Sequence, residues 1–308
     1  MSHHWGYMAI IASAFLFGIG TTINKLLLEY MSPALIVGAT YLIAGFVLGC
    51  SSLLPRSTKL TSWLKVPERT KSEFVWRDLV VLTMIVLTGA VAAPYLYMVG
   101  LNNTTAVNAA LLGNTESLFT IGIAFIFLGE RGKLKDYAAM LLLILGAIVL
   151  TTNLSLRELN ILGSLLGNLL VIGSCLFWGI DNNLSRLVTV KRSLPQLGSV
   201  KSILGGSIML VIAAFGGMRF ISNPLTVIYV IIVGVFSVGL SLLLFLFSLQ
   251  EMGAMRTGVI FSTSSLFGAV SAFLILREPI SLVQILAGLV MLFAIYVLSI
   301  PKKNTHQQ

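Results

Sequence analysis

Ten apolar runs, each close to the length that crosses a bilayer, dominate this chain. Their approximate limits are 6–28, 33–54, 77–100, 105–128, 135–152, 162–185, 195–217, 224–247, 256–276 and 281–300. A helix crossing the hydrocarbon core needs about 20 such residues. The runs lack the polar–apolar alternation of barrel strands, so helices are the expected spanning element. The expected fold class is an all-α membrane protein with ten transmembrane helices. The first run has neither a basic leader nor a small-residue cleavage site before the next one. It is therefore read as a retained helix, not a signal peptide.

Composition supports this class. Of 308 residues, 57% are hydrophobic and 10% are charged, against about 25% charged in an ordinary soluble domain. An ordinary cytosolic enzyme is excluded, and so is a disordered chain. A net charge of +9 would suit nucleic acid were it not for where the cations lie. With the N-terminus placed inside, the inner segments hold 16 of the 20 basic residues. These are Arg56, Lys59, Lys65, Arg69, Lys71 and Arg77, then Arg131, Lys133 and Lys135, then Arg186, Lys191, Arg192 and Lys201, then Arg256, Lys302 and Lys303. Only Lys25, Arg157, Arg219 and Arg277 fall outside. Such a bias orients membrane proteins. It predicts a multi-pass protein of the cell membrane with both termini cytoplasmic and no nucleic-acid partner. The basic loop 55–76, with Trp63 and Trp76, is expected on the anionic inner leaflet.

The halves resemble each other. Ser13, Phe17-Gly18-Ile19 and Lys25 match Ser174, Trp178-Gly179-Ile180 and Arg186 at an offset of 161. Ser117-Leu118-Phe119, Glu130 and Leu134 match Ser265-Leu266-Phe267, Glu278 and Leu282 at an offset of 148. Five spans per half is an odd number, so the second half inserts upside down. The expected organisation is two inverted five-helix repeats, 1–155 and 156–308. Binding sites in such proteins lie between the repeats, near the midplane.

Leu128-Gly129-Glu130-Arg131-Gly132-Lys133-Leu134 and Leu276-Arg277-Glu278-Pro279-Ile280 resemble the motif of the EamA family of the drug/metabolite transporter superfamily. The likeness covers nearly the whole chain. It implies a ten-helix secondary transporter, often an exporter of amino acids or other small metabolites. Many members carry Pro after the position of Glu116, where this chain has Ser117, so the resemblance leaves a helix break there open.

Glu116 is the leading candidate for substrate binding or proton coupling. It lies about 16 Å into the fourth span at 1.5 Å per residue, a depth where a carboxylate is costly and marks a substrate or ion pathway. Packing through one interhelical hydrogen bond is the bland alternative. Asn108 and Thr120 share a broad stripe with it, and Asn114 flanks it. Ser264 is its counterpart in the second half, on a face with Thr257, Phe261, Gly268 and Ser271 that serves a polar cavity or close packing equally well. Trp178 and Asp181 share a stripe of the sixth span with Ser174 and Ser185, flanked by Asn182 and Asn183. The simpler expectation for Asp181 is a pair with Arg186 at the cytoplasmic surface. Pro94 is expected to interrupt the third span. Beside it, Tyr95 is a candidate for substrate stacking, though belt residues are commoner there. Glu130 and Glu278 are expected to meet the dipole of the helix that follows each.

No Walker loop is present, so any transport draws on a gradient. The three histidines lie at the tips, and Cys50 and Cys175 sit in apolar runs. Neither a metal nor a cofactor is expected, and no catalytic cluster is visible. The leading reading is a non-enzymatic secondary transporter moving a small organic molecule outward by alternating access. The alternatives are a lipid-carrier flippase and a membrane-embedded lipid-modifying enzyme.

Overall fold

A computed structural model describes residues 3–53, 76–127, 134–152, 164–189, 194–217, 219–220 and 223–299. The loop 55–75 and Glu130 lie outside them. The described residues are helical apart from turns and one isolated bridge between Met31 and Phe220. In chain order the helices are α1 (His3–Leu27), α2 (Pro33–Leu53), α3 (Trp76–Val86), α4 (Ala93–Asn102), α5 (Ala106–Leu112), α6 (Thr115–Phe127) and α7 (Leu134–Thr152). They continue with α8 (Leu166–Thr189), α9 (Leu194–Phe215), α10 (Pro224–Ile232), α11 (Ser241–Met252), α12 (Ala254–Phe261), α13 (Ser264–Ser271) and α14 (Leu282–Ser299). Some are consecutive pieces of one span. Seven described stretches are long and apolar enough to cross a membrane, and two shorter apolar helices, Tyr137–Leu150 and Leu282–Val297, accompany them. The result is an all-helical, multi-span membrane protein.

Two kinds of irregularity interrupt the long spans. π-Helical turns Leu87–Ala92 and Val233–Leu240 join α3 to α4 and α10 to α11. Such turns often accompany functional sites. The interruption expected at Pro94 takes the form of the first of these turns. The ring sits in the first turn of α4, directly after it, and the carbonyl left without a proline N–H belongs to the π-helical stretch.

The second kind separates α5 from α6 and α12 from α13. Asn114, Glu116 and Ser117 donate their backbone N–H groups to Leu111, Gly113 and Asn114, three residues back. Thr263, Ser265 and Leu266 do the same toward Ile260, Ser262 and Thr263. A tightened turn thus breaks each helix without proline, which answers the question left open at Ser117. Between the two breaks the pattern falls one residue beyond the 148 offset, so Ser265 rather than Ser264 takes the place of Glu116 in it.

Close approach at glycine sets the helix pairing. A Cβ on Gly18 of α1 would lie 2.8 Å from the Cβ of Phe267 in α13, and one on Gly179 of α8 would lie 2.8 Å from that of Phe119 in α6. Further pairs are α2 with α9, α7 with α14, α4 with α8, and α1 with α11.

Candidate functional site

Apolar helices leave little to satisfy a polar group in hydrocarbon, so buried polar side chains must find one another. One group of them gathers around two cavities at the centre of the bundle. The first has a volume of about 80 Å³ and the second about 20 Å³. Both are small beside ordinary ligand pockets, which run about 300–1,000 Å³.

The cavities occupy different levels. Ser241 and Phe245 line the first. Ser241 meets Ser13 through a 2.8 Å bond from Ser13 Oγ to its carbonyl, and farther along α11 Met252 packs against Gly6. This cavity therefore faces the end where α1 begins, here called the near end. Thr21 and Tyr97 line the second and share a 2.9 Å hydroxyl–hydroxyl bond. It faces the far end, where Lys25 donates to the carbonyls of Leu101 and Thr104 at 2.6 Å each.

Four side chains line both cavities: Phe17, Glu116, Trp178 and Phe261. Phe17 meets Trp178 edge-on at 5.7 Å and Phe261 at 5.2 Å. Tyr97 lies 5.3 Å from Trp178 on the far side. The aromatics form a septum, and Glu116 is the charged group that reaches both sides of it. The turn at Gly113-Asn114 puts Glu116 in the first turn of α6, where a half-helix dipole favours an acid. Its Oε1 accepts a 2.7 Å bond from Asn182 Nδ2 of α8, which also lies 3.3 Å from Thr120 Oγ1.

Asp181 lies in the first cavity, and the side chain of its expected partner Arg186 is outside those described. Lys201 Nζ of α9 donates to its Oδ2 at 2.5 Å, and Ser185 donates to its Oδ1 at 3.2 Å. The placement of Lys201 is a correction, since it was counted among the cytoplasmic cations. It follows the start of α9 at Leu194 by seven residues, about 10 Å at helical rise. Its side chain is 4% exposed and that of Asp181 6%. Without it, the segments expected inside carry 15 of the remaining 19 basic residues.

Of the other predicted residues, Thr120 joins Glu116 through Asn182, and Trp178 and Ser264 line cavities. Asn108 does not join the group: its Oδ1 accepts from Gln284 Nε2 at 2.8 Å, two turns nearer the far end. Asn114 is fully buried, lines neither cavity, and its side-chain atoms meet no hydrogen-bond partner among the described residues. Tyr95 packs on the apolar core, and Tyr97 is the tyrosine that lines the second cavity. Glu278 accepts from the N–H groups of Ala106 and Val107 at 3.0 Å each. The dipole it meets is that of α5, not of the helix that follows it.

Sequence reasoning missed Lys201, Tyr41, Gly89, Ser237 and Phe245, all of which line the first cavity. A signal existed for Lys201, because the apolar run 195–217 already encloses it. None existed for Gly89 or Ser237, which π-helical turns bring to the cavity.

The model of the EamA-like transporter family matches residues 4–152 and 165–300. An "Uncharacterized transporter" of Methanothermobacter thermautotrophicus is 36% identical over 299 residues, 97% of this chain and 87% of that one. The "Uncharacterized transporter YetK" of Bacillus subtilis is 22% identical over 97% of this chain and 88% of its own. A solved structure titled "Crystal structure of protein" superposes with a TM-score of 0.64 at 15% identity, covering 96% of this chain and 95% of that one. At that identity the superposition speaks for the fold alone.

Proposed function

Because the chain belongs to the EamA-like transporter family, we propose that it is a secondary transporter exporting a small organic metabolite, such as an amino acid, by alternating access. The carrying observation is the position of Glu116, which lines a cavity on each side of the aromatic septum. A group exposed to both sides in turn is what alternating access requires of a coupling residue, and protons are the ion we assign to it. The ten-span count, the two units 1–155 and 156–308 and their inverted relation belong to the same reading. Matched contacts at Gly18 and Gly179 support it. We place the near end and both termini on the cytoplasmic side of the cell membrane, on the distribution of Lys and Arg.

The test is the purified chain in liposomes, given a panel of amino acids and other metabolites with and without a pH gradient. Saturable, gradient-stimulated flux is the expected result. Flux of no panel compound above that of empty liposomes would sink the reading.

A further inference from the structure

The Asp181–Lys201 pair does more than join α8 to α9. Both side chains are almost wholly buried and both line the first cavity. The neighbouring π-helical turn makes room for the acid: a Cβ on Gly89 would lie 2.2 Å from Asp181 Cγ. Desolvation offsets most of the attraction in a buried ion pair, so apolar residues of equal volume often serve stability as well or better. Removing one partner is another matter, since it strands a buried charge. Any compound that takes one member of this pair must therefore supply an opposite charge for the other.

We propose that Asp181 and Lys201 select the charge class of the transported compound, and that this class is the zwitterion. The reading rests on the cavity being the translocation site proposed above. When the cavity opens, the carboxylate of the compound takes Lys201 and its ammonium takes Asp181. Glu116 stands in the same cavity as a second acceptor. No charge is left unpaired by this exchange. A monocarboxylate strands Asp181, and a monoamine strands Lys201. Phe17, Trp178, Phe245 and Phe261 also line the cavity and match an apolar side chain on the zwitterion.

The test uses the purified full chain and the ligand-induced rise in unfolding temperature, titrated to give apparent affinities. The compounds are leucine and phenylalanine, each with its des-amino acid and its decarboxylated amine. The parent should bind the amino acids at least tenfold more tightly than either analogue. Asp181→Asn should cut the advantage over the acid below about threefold, and Lys201→Gln should do the same for the amine. Should a single variant fail to fold, the double variant Asp181→Asn/Lys201→Gln has no stranded charge and should lose both preferences. The proposal is overturned if the double variant keeps the parent's preference, or if the parent binds acid or amine as well as amino acid. It is equally overturned if the parent binds neither leucine nor phenylalanine. Flux of another panel compound would in that last case leave the transporter reading standing.

Discussion

Two contacts that match each other at the repeat offsets differ sharply in chemistry. In one, Asp181 of α8 presses on Gly89 of a π-helical turn; in the other, Ser237 of the second π-helical turn presses on Gly20 of α1. The backbone arrangement recurs with the roles exchanged, yet the acid occurs once and a small hydroxyl replaces it in the other copy. Glu116 shows the same asymmetry against Ser264 and Ser265, and Lys201 against Thr40. The shared features are those that set helix spacing. The charges are concentrated on one side of the relation and in one cavity. Packing constrains both copies, whereas the ligand site needs only one set of charges.

The largest effects should come from filling the glycine contacts. Gly89→Ala places a methyl 2.2 Å from Asp181 Cγ, and Gly20→Ala places one 1.8 Å from Ser237 Oγ and 2.6 Å from its Cβ. Overpacking of this kind costs about 1–3 kcal/mol, and thermal unfolding in detergent should record it for both. Ser237→Gly should restore the Gly20→Ala protein. Asp181→Gly should not restore Gly89→Ala, because Lys201 is then stranded. Equal rescue at both sites would dissolve the distinction.

Glu116→Gln sharpens the comparison on the functional side. The amide keeps the oxygen that accepts from Asn182, so unfolding temperature should stay within a few degrees of the parent. Flux driven by a pH gradient should fall at least tenfold, about 1.4 kcal/mol in barrier. Substrate exchange without net proton movement should survive better. Ser264→Ala, in the corresponding turn, should leave gradient-driven flux within about twofold. Undiminished flux in the Gln variant would return Glu116 to a packing role.

A smaller loss is expected at the far end. Glu278→Ala leaves the N–H groups of Ala106 and Val107 without their acceptor, a cap and dipole contribution of about 1–2 kcal/mol. Glu278→Gln should recover part of it, since one oxygen can still accept.

The smallest effect belongs to the serine pair that bridges the broken helices, Ser117 and Ser262, whose hydroxyls lie 2.6 Å apart. Interhelical bonds of this kind average about 0.6 kcal/mol. Ser117→Ala should therefore shift the unfolding midpoint by only a degree or two. A loss as large as that of Gly89→Ala would mean that the break itself depends on this bond.

The spans were legible because length and hydrophobicity are properties of a segment. The run read as 33–54 is the helix Pro33–Leu53, and the run 195–217 is Leu194–Phe215. Glu116 was legible because a lone acid at mid-depth demands an explanation. Its partner Asn182 was not, since it lies 66 residues away on another helix and only packing brings them together. Lys201 was misplaced because counting cations between runs treats every basic residue near a boundary as exposed. Of the π-helical turns, the first is flagged by Pro94 just after it, whereas no residue type marks the second. The helix breaks at Gly113-Asn114 and Ser262-Thr263 were not legible either way, because no proline marks them.

That last point reaches beyond prediction. A proline bends a helix by its ring, and the bend is part of the covalent structure. At Gly113-Asn114 and at Ser262-Thr263 the bend is held by hydrogen bonds three residues long and by what packs beside them. Every residue there has an N–H, so the covalent chain does not impose the bend. The angle between α5 and α6 rests instead on non-covalent contacts with α8, α12 and α13, and Glu116, in the first turn of α6, takes its position from that angle.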